Sequence, residues 1–355
     1  MKPGPEAWVR EEILALKAYH VPSAEGFVKL DAMENPYRLP EKLREEVGRL
    51  VSGVAINRYP DPAAPALKER LRTTMDVPVG AELLLGNGSD EIITIIAQTL
   101  ARPGAVMLCP EPSFAMYRMN AVLAGMRYVG VPLRADFTLD LDGFLAAIAA
   151  HRPALIFIAY PNNPTGGLFP EEVVIRIIEA APGLVVVDEA YHAFAEMTFM
   201  DRLGTFPNLL VMRTVSKLGL AGLRLGYAAA SPVWIGEFDK VRAPYNVNVV
   251  TQAIAETVLE HIRVLESQAA QIREDRDALA ERLGDMADVT VFPSAANFIL
   301  VRVPDASRAF DGMKARRVLV RNFNGSHPLL ANCLRLTVGT PGENELMLAA
   351  LSESL

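Results

Sequence analysis

Apolar residues in this chain gather in short continuous runs rather than in strict alternation. LLLG (83–86), AVMLC (105–109), RYVGV (127–131), LIFIA (155–159), LVVVD (184–188), LLVMR (209–213) and GYAAA (226–230) each predict a strand. Runs that are apolar on both faces belong in a sheet covered on both sides. Helical spacing fills most of the gaps, near 115–124, 140–150 and 170–180, and an amphipathic run follows NGSD at 87–90. The alternation predicts an α/β fold built on a mostly parallel central sheet.

The flanks read differently. Residues 1–35 show a short apolar helix pattern near 8–18 and otherwise look like an arm laid across another surface. Helices are expected over 40–52 and 64–75, with the proline-punctuated loop NRYPDP (57–62) between them. A helix-rich stretch covers about 248–283 and becomes heavily charged after 259. Beyond it, VTVFP, NFILVRV, a helix near 305–316, RVLVR, CLRLTVG and a closing helix to 353 predict a smaller α+β unit. The expected division is an arm (1–35), a large domain (36–247) and a small C-terminal domain that includes the linking helix (248–355).

Composition narrows the function classes. With 355 residues the chain can bury sizeable cores. A net charge of −7 argues against a general nucleic-acid or membrane-surface binder. Cys109 and Cys333 lie far apart in apolar runs without metal-ligand spacing, as expected of buried thiols in a reducing compartment. No signal-peptide core or membrane-length apolar run is present, so a cytoplasmic location is expected.

The polar motifs fall where such a sheet places its ligands, beyond the strand C-termini. Lys217 sits in the turn after LLVMR, with Thr214, Ser216 and Arg224 as short hydroxyls and a cation around it. An amine there becomes a Schiff-base nucleophile only if burial or charge lowers its pKa. Asp188 ends an apolar strand, and a carboxylate so placed requires a positive partner, which a pyridinium N–H would supply. Tyr191 and Asn163, the latter fixed by the Pro164 turn, could donate to a phenolic oxygen. Gly88, Ser89 and Asp90 open a helix whose free N–H groups suit an anion, with Ser89 as the expected N-cap. Phe114 is placed to stack on a ring. Taken singly, each has an ordinary alternative: a surface lysine, a β-turn, a macrodipole acid, a core phenylalanine.

Together, NPTG, DEAY, SK and GLRLG in this order resemble the fold-type I pyridoxal-phosphate aminotransferases over essentially the whole chain. Within that family the TyrHis pair at 19–20, KLDAMENP, RYPDP, GNGSDE, PNNPTG and CLRLTVGT look most like the histidinol-phosphate aminotransferase branch. The resemblance implies pyridoxal 5′-phosphate as cofactor, with Lys217 as the Schiff-base lysine and Asp188 on the pyridine nitrogen. It puts Asn163 and Tyr191 at the phenolic oxygen. It implies a homodimer with shared sites in which Tyr59 reaches the partner's cofactor phosphate. Glutamate, 2-oxoglutarate and histidinol phosphate are the implied small-molecule substrates. Arg335 and Arg321 are the implied anion-binding arginines, with Tyr19 and Asn35 of the arm beside them. Arg224 follows Lys217 by seven residues where many relatives have eight, which leaves the loop's path open. Three rivals share the fold: a threonine-phosphate decarboxylase, an aromatic aminotransferase and a non-catalytic cofactor-binding regulatory domain. A nucleotide-binding doubly wound protein lacks its glycine-rich fingerprint.

Overall fold

The computed structural model describes residues 3–16 and 23–355. The end of the arm forms β1 (Val28–Lys29), and the chain then builds seven strands. They are β2 (Glu82–Asn87), β3 (Val106–Glu111), β4 (Arg127–Pro132), β5 (Leu155–Ala159), β6 (Leu184–Asp188), β7 (Leu209–Thr214) and β8 (Leu225–Ala230). They make one sheet in the order β2-β8-β7-β6-β5-β3-β4. Only β8 runs against its neighbours. The carboxyl ends of β2, β3, β5, β6 and β7 therefore share one edge, where Arg224 also delivers the chain into β8.

The continuous apolar runs are explained by the two faces. Val185, Val187, Leu209 and Val211 join one core cluster, while Leu184, Val186, Leu210 and Met212 join another. The period of two sends successive side chains to opposite sides, and helices cover both. Helix Ser89–Leu100 buries Ile92, Ile93, Ile95 and Ile96 on the second face. Helix Pro65–Thr74 buries Leu67 and Leu71 on the first.

The C-terminal part forms β9 (Thr290–Val291), β10 (Phe298–Arg302), β11 (Val318–Leu319), β12 (Arg321–Asn322) and β13 (Cys333–Thr337). Four of these make a sheet ordered β12-β13-β10-β9, and β11 pairs in parallel with β1. Leu30 and Met33 join the core of this region with Phe298, Leu334 and Leu336. The arm's last residues are thus packed inside it.

Two local expectations are corrected, and the helix-rich stretch at 248–283 is resolved in more detail. The helix near 8–18 is only Glu11–Leu14 within the described residues, and Leu14 is 48% exposed. So short a segment has no buried face to offset its nucleation cost. The stretch 248–283 is two helices, Val249–Glu260 and Ile262–Gly284, broken at His261. The second contributes Leu265 to the large sheet's core and Ala269, Ile272, Leu279 and Leu283 to the C-terminal one, so it spans both. Finally, Ser89 is the first helical residue rather than the cap, because Gly88 takes the cap position at φ +81°. Both cysteines are buried free thiols, and no helix of the described residues is long and apolar enough to cross a membrane.

Candidate active site

A cleft of about 570 Å³ opens at the shared strand edge. The structure brings Ser89, Asp90, Phe114, Asn163, Asp188, Tyr191, Thr214, Ser216, Lys217 and Arg224 together on its walls. They come from five connections scattered over some 135 residues, and only the sheet topology makes them neighbours.

Lys217 follows β7 on a wide turn, Ser216–Leu220, closed by Leu220 N–H donating to the Val215 carbonyl at 3.1 Å. Gly219 at φ +139° allows that turn, and a tight 3₁₀ segment, Ala221–Leu223, then reaches Arg224 in the left-handed region. This is the path of the short loop. The Lys217 amine donates to the Ala32 carbonyl at 2.9 Å. Burial, and then the Arg335 charge, lower its pKa from 10.5 to about 8. A protonated lysine pays that desolvation; a neutral, nucleophilic one does not.

Asp188 is 4% exposed at the end of β6. It accepts from the Tyr117 hydroxyl at 2.6 Å and the Ala190 N–H at 3.1 Å. Burial pushes its pKa up to about 6, partly opposed by the Tyr117 hydrogen bond. Both of these donors are neutral, so the carboxylate is a ready seat for a cationic N–H.

Opposite it, Asn163 Nδ2 donates to the Tyr191 hydroxyl at 3.2 Å, and Arg335 Nη1 donates to Asn163 Oδ1 at 2.6 Å. Arg335 Nη2 also donates to the Asp31 carbonyl at 2.8 Å. Its guanidinium lies 5.3 Å from the Phe298 and Phe323 ring centres, which holds a buried cation in one orientation.

At the far wall, Gly88 and Ser89 present a helix N-terminus. A Cβ on Gly88 would stand 2.5 Å from Arg224 Nη2, and one on Gly226 would stand 2.6 Å from the Ser89 nitrogen. These glycines let backbone, guanidinium and hydroxyls converge. Arg224 Nη2 contacts Asp90 Oδ2 at 3.3 Å, which offsets the acid's repulsion for an anion. Thr214 Oγ1 lies 2.9 Å from Ser216 Oγ and 3.0 Å from the Leu225 carbonyl. The cup of N–H groups, hydroxyls and a guanidinium fits a phosphate. A phosphate cup, a depressed lysine and a cation-seeking carboxylate in one cleft fit pyridoxal phosphate.

Other sequence-predicted residues lie elsewhere. Asn35 donates to the Leu218 carbonyl at 3.0 Å and to Gln268 at 2.9 Å, and its own oxygen accepts from Tyr37 N–H at 2.8 Å. It braces the lysine turn from outside the cleft walls. Arg321 sits across the strand pair from Arg335 in register. Tyr59 is 81% exposed and stacks on Tyr245 with ring centres 4.4 Å apart, away from this chain's own cleft. Tyr19 lies outside the described residues. Sequence reasoning missed Tyr117. The available signal was its spacing, three residues after Phe114 at a helix start; the two rings meet edge to face at 5.6 Å.

The comparisons with known proteins agree with this geometry. A family model described as aminotransferase class I and II matches residues 25–351. A protein of Cupriavidus pinatubonensis named histidinol-phosphate aminotransferase 2 is 57% identical, covering 99% of this chain and 97% of that one. A histidinol-phosphate aminotransferase of Chromobacterium violaceum is also 57% identical, over 97% and 96% of the two chains. The crystal structure of a Sinorhizobium meliloti histidinol-phosphate aminotransferase in complex with pyridoxal-5′-phosphate is similar at a TM-score of 0.87. It is 26% identical and covers 98% and 97% of the two chains.

Proposed function

Because the chain belongs to the class I and II aminotransferases, we propose that it is a pyridoxal 5′-phosphate-dependent transaminase acting on histidinol phosphate. The reaction passes the amino group of L-histidinol phosphate to 2-oxoglutarate, giving imidazole acetol phosphate and L-glutamate, a step of histidine biosynthesis. The observation that carries the reading is the pairing, in one cleft, of the depressed Lys217 amine with the buried Asp188 carboxylate. The substrate follows from the relatives' names.

Bound pyridoxal phosphate supplies an electron sink for the charge that develops at the substrate's α-carbon. The Lys217 amine is the nucleophile that holds the cofactor and, once freed, the base that moves the α-proton. Asp188 keeps the ring nitrogen protonated, with Tyr117 orienting the carboxylate. Asn163 and Tyr191 donate to the phenolic oxygen. Ser89, Thr214, Ser216, Arg224 and the helix N-terminus hold the phosphate. Phe114 covers the ring face.

One site must accept glutamate, with two carboxylates, and histidinol phosphate, with a phosphate and none. Negative charge is what they share. Arg335 and Arg321 occupy directly paired strand positions, and both guanidiniums lie over the Phe323 ring, so an anion seated beside them would meet two fork-shaped donors. We assign the substrate's anionic end to this pair, with Tyr19 as a neutral donor. A homodimer completes the reading, each chain lending its exposed Tyr59 to the partner's phosphate cup.

The test is the visible spectrum of the purified holoprotein, titrated with glutamate and then, after reoxidation by 2-oxoglutarate, with histidinol phosphate. Both should bleach the band of the lysine-linked cofactor, and Lys217→Ala should lack the band and turnover. Bleaching by phenylalanine but not histidinol phosphate would move the assignment to aromatic substrates. Carbon dioxide release in place of glutamate formation would move it to a decarboxylase.

A further inference from the structure

Behind the cleft, on the other face of the same two strand ends, lies an ion pair that the chemistry above does not use. Glu189 has no exposed surface and Arg213 is 6% exposed. Arg213 Nε donates to Glu189 Oε2 at 2.8 Å, Nη1 to the Met75 carbonyl at 3.1 Å and Nη2 to Thr198 Oγ1 at 2.8 Å. Glu189 Oε1 accepts from the Phe199 N–H at 2.5 Å, and Thr198 Oγ1 lies within 3.0 Å of both carboxylate oxygens. The pair ties four segments: the ends of β6 and β7, the turn at 198–199, and Met75 at the C-cap of helix Pro65–Thr74.

Stability alone gives no reason for two charges in this place. A buried pair roughly breaks even against apolar side chains of the same volume, because desolvation offsets the attraction. What apolar packing lacks is direction. A guanidinium fork meets a carboxylate in a fixed plane, and here its other donors also reach the Met75 carbonyl and Thr198. Glu189 is joined covalently to Asp188, and Arg213 to Thr214. The Glu189 N–H further donates to the Met212 carbonyl at 2.8 Å. A slip between the two strand ends would shift Asp188 against the Thr214–Lys217 loop and break this pair at once.

We propose that Glu189 and Arg213 are positioning residues that set the separation between Asp188 and the Thr214–Lys217 loop, and so how tightly and in what orientation the cofactor is held. The proposal rests on the pyridoxal-phosphate reading. It predicts that removing the pair loosens the cofactor even where the fold is kept.

The discriminating variant replaces both residues, Glu189→Met with Arg213→Met, so that no charge is left unpaired. Melting temperature, cofactor dissociation rate, the visible circular dichroism of the lysine-linked cofactor, and kcat and KM are measured on the holoprotein. The expected result is a melting temperature near that of the native protein with cofactor release about tenfold faster, the scale on which outer hydrogen-bond partners act at a ligand-holding group. An altered dichroic band and a fall in kcat larger than any rise in KM should accompany it. Arg213→Lys keeps the charge without the fork and should fall between the two; it carries the same readouts if the double variant does not fold. Native dissociation and a native dichroic band in a folded variant would overturn the proposal and leave a framework role only. A native protein with no visible band would instead overturn the cofactor reading beneath it.

Discussion

Asp188 ends β6 and Glu189 follows directly after it, the two side chains turned to opposite faces of the sheet. On the Glu189 face, a guanidinium, a hydroxyl and a backbone N–H complete the carboxylate's surroundings. On the Asp188 face, a phenol and a backbone N–H are the donors among the described residues, and burial raises the pKa to about 6. Lys217 completes the contrast, because its amine meets a neutral carbonyl and is pushed down to about 8. Groups that are fully paired within the chain belong to the frame. Groups whose ionised form is left short of charge partners mark where a ligand with complementary charge belongs.

Asp188→Ala should break that contrast most severely. On the proposed reading it removes the carboxylate that pairs with the ring nitrogen, and loss of a preorganised electrostatic partner lowers kcat by roughly 10²–10³-fold. Steady-state kinetics at saturating cofactor checks this. A fall of less than about fivefold would mean that Asp188 is only a strand terminus.

The apoprotein's stability across alkaline pH is the next test. The Lys217 pKa is lowered on folding, so between about 8 and 10.5 the unfolded chain binds more protons. Stability should therefore rise with pH through that window, by up to roughly 3 kcal/mol before solvent screening reduces it. Below pH 8 both states are protonated and the full cost of burying the charge persists. Urea melts of native apoprotein and of Lys217→Met at pH 7.5 and 10 would show the difference; an equal pH response in both would place the lowered pKa elsewhere.

The smallest effect is expected for Tyr117→Phe, which deletes one hydroxyl from Asp188 and keeps the ring stacked on Phe157 at 4.6 Å. A hydrogen bond to a charged group contributes about 1.5–3 kcal/mol; with the Ala190 N–H still in place the lower end applies, and kcat should fall about tenfold with KM little changed. The lower pH limb of kcat should also move upward, because the hydroxyl favours the ionised carboxylate.

The strands were legible because burial on both faces leaves an uninterrupted apolar signature; LIFIA and LVVVD match β5 and β6 residue for residue. Lys217, Asp188, Asn163 and Arg224 were legible because each stands beyond such a run. Tyr117 was not, since its partner is 71 residues away and a helical tyrosine looks like any core aromatic. Glu189 and Arg213 were hidden for a related reason: a charge beside a motif residue reads as solvated until the sheet's second face is known. Asn35 shows what a motif alone leaves out: its place invited a ligand role, and the structure adds that its amide nitrogen binds the lysine turn and helix Ile262–Gly284.

The arm's end joins these regions mechanically. Asp31 and Ala32 offer successive carbonyls, the first to Arg335 and the second to Lys217. Their α-carbons are about 3.8 Å apart, so no slack separates the grip on the two cations. The same thread is anchored on both sides, by Leu30 N–H to the Leu319 carbonyl and by Asn297 to the Met33 carbonyl. Any displacement of the arginine would therefore reach the lysine's resting place through one peptide unit, as tension along a taut tether rather than as a signal relayed through the core.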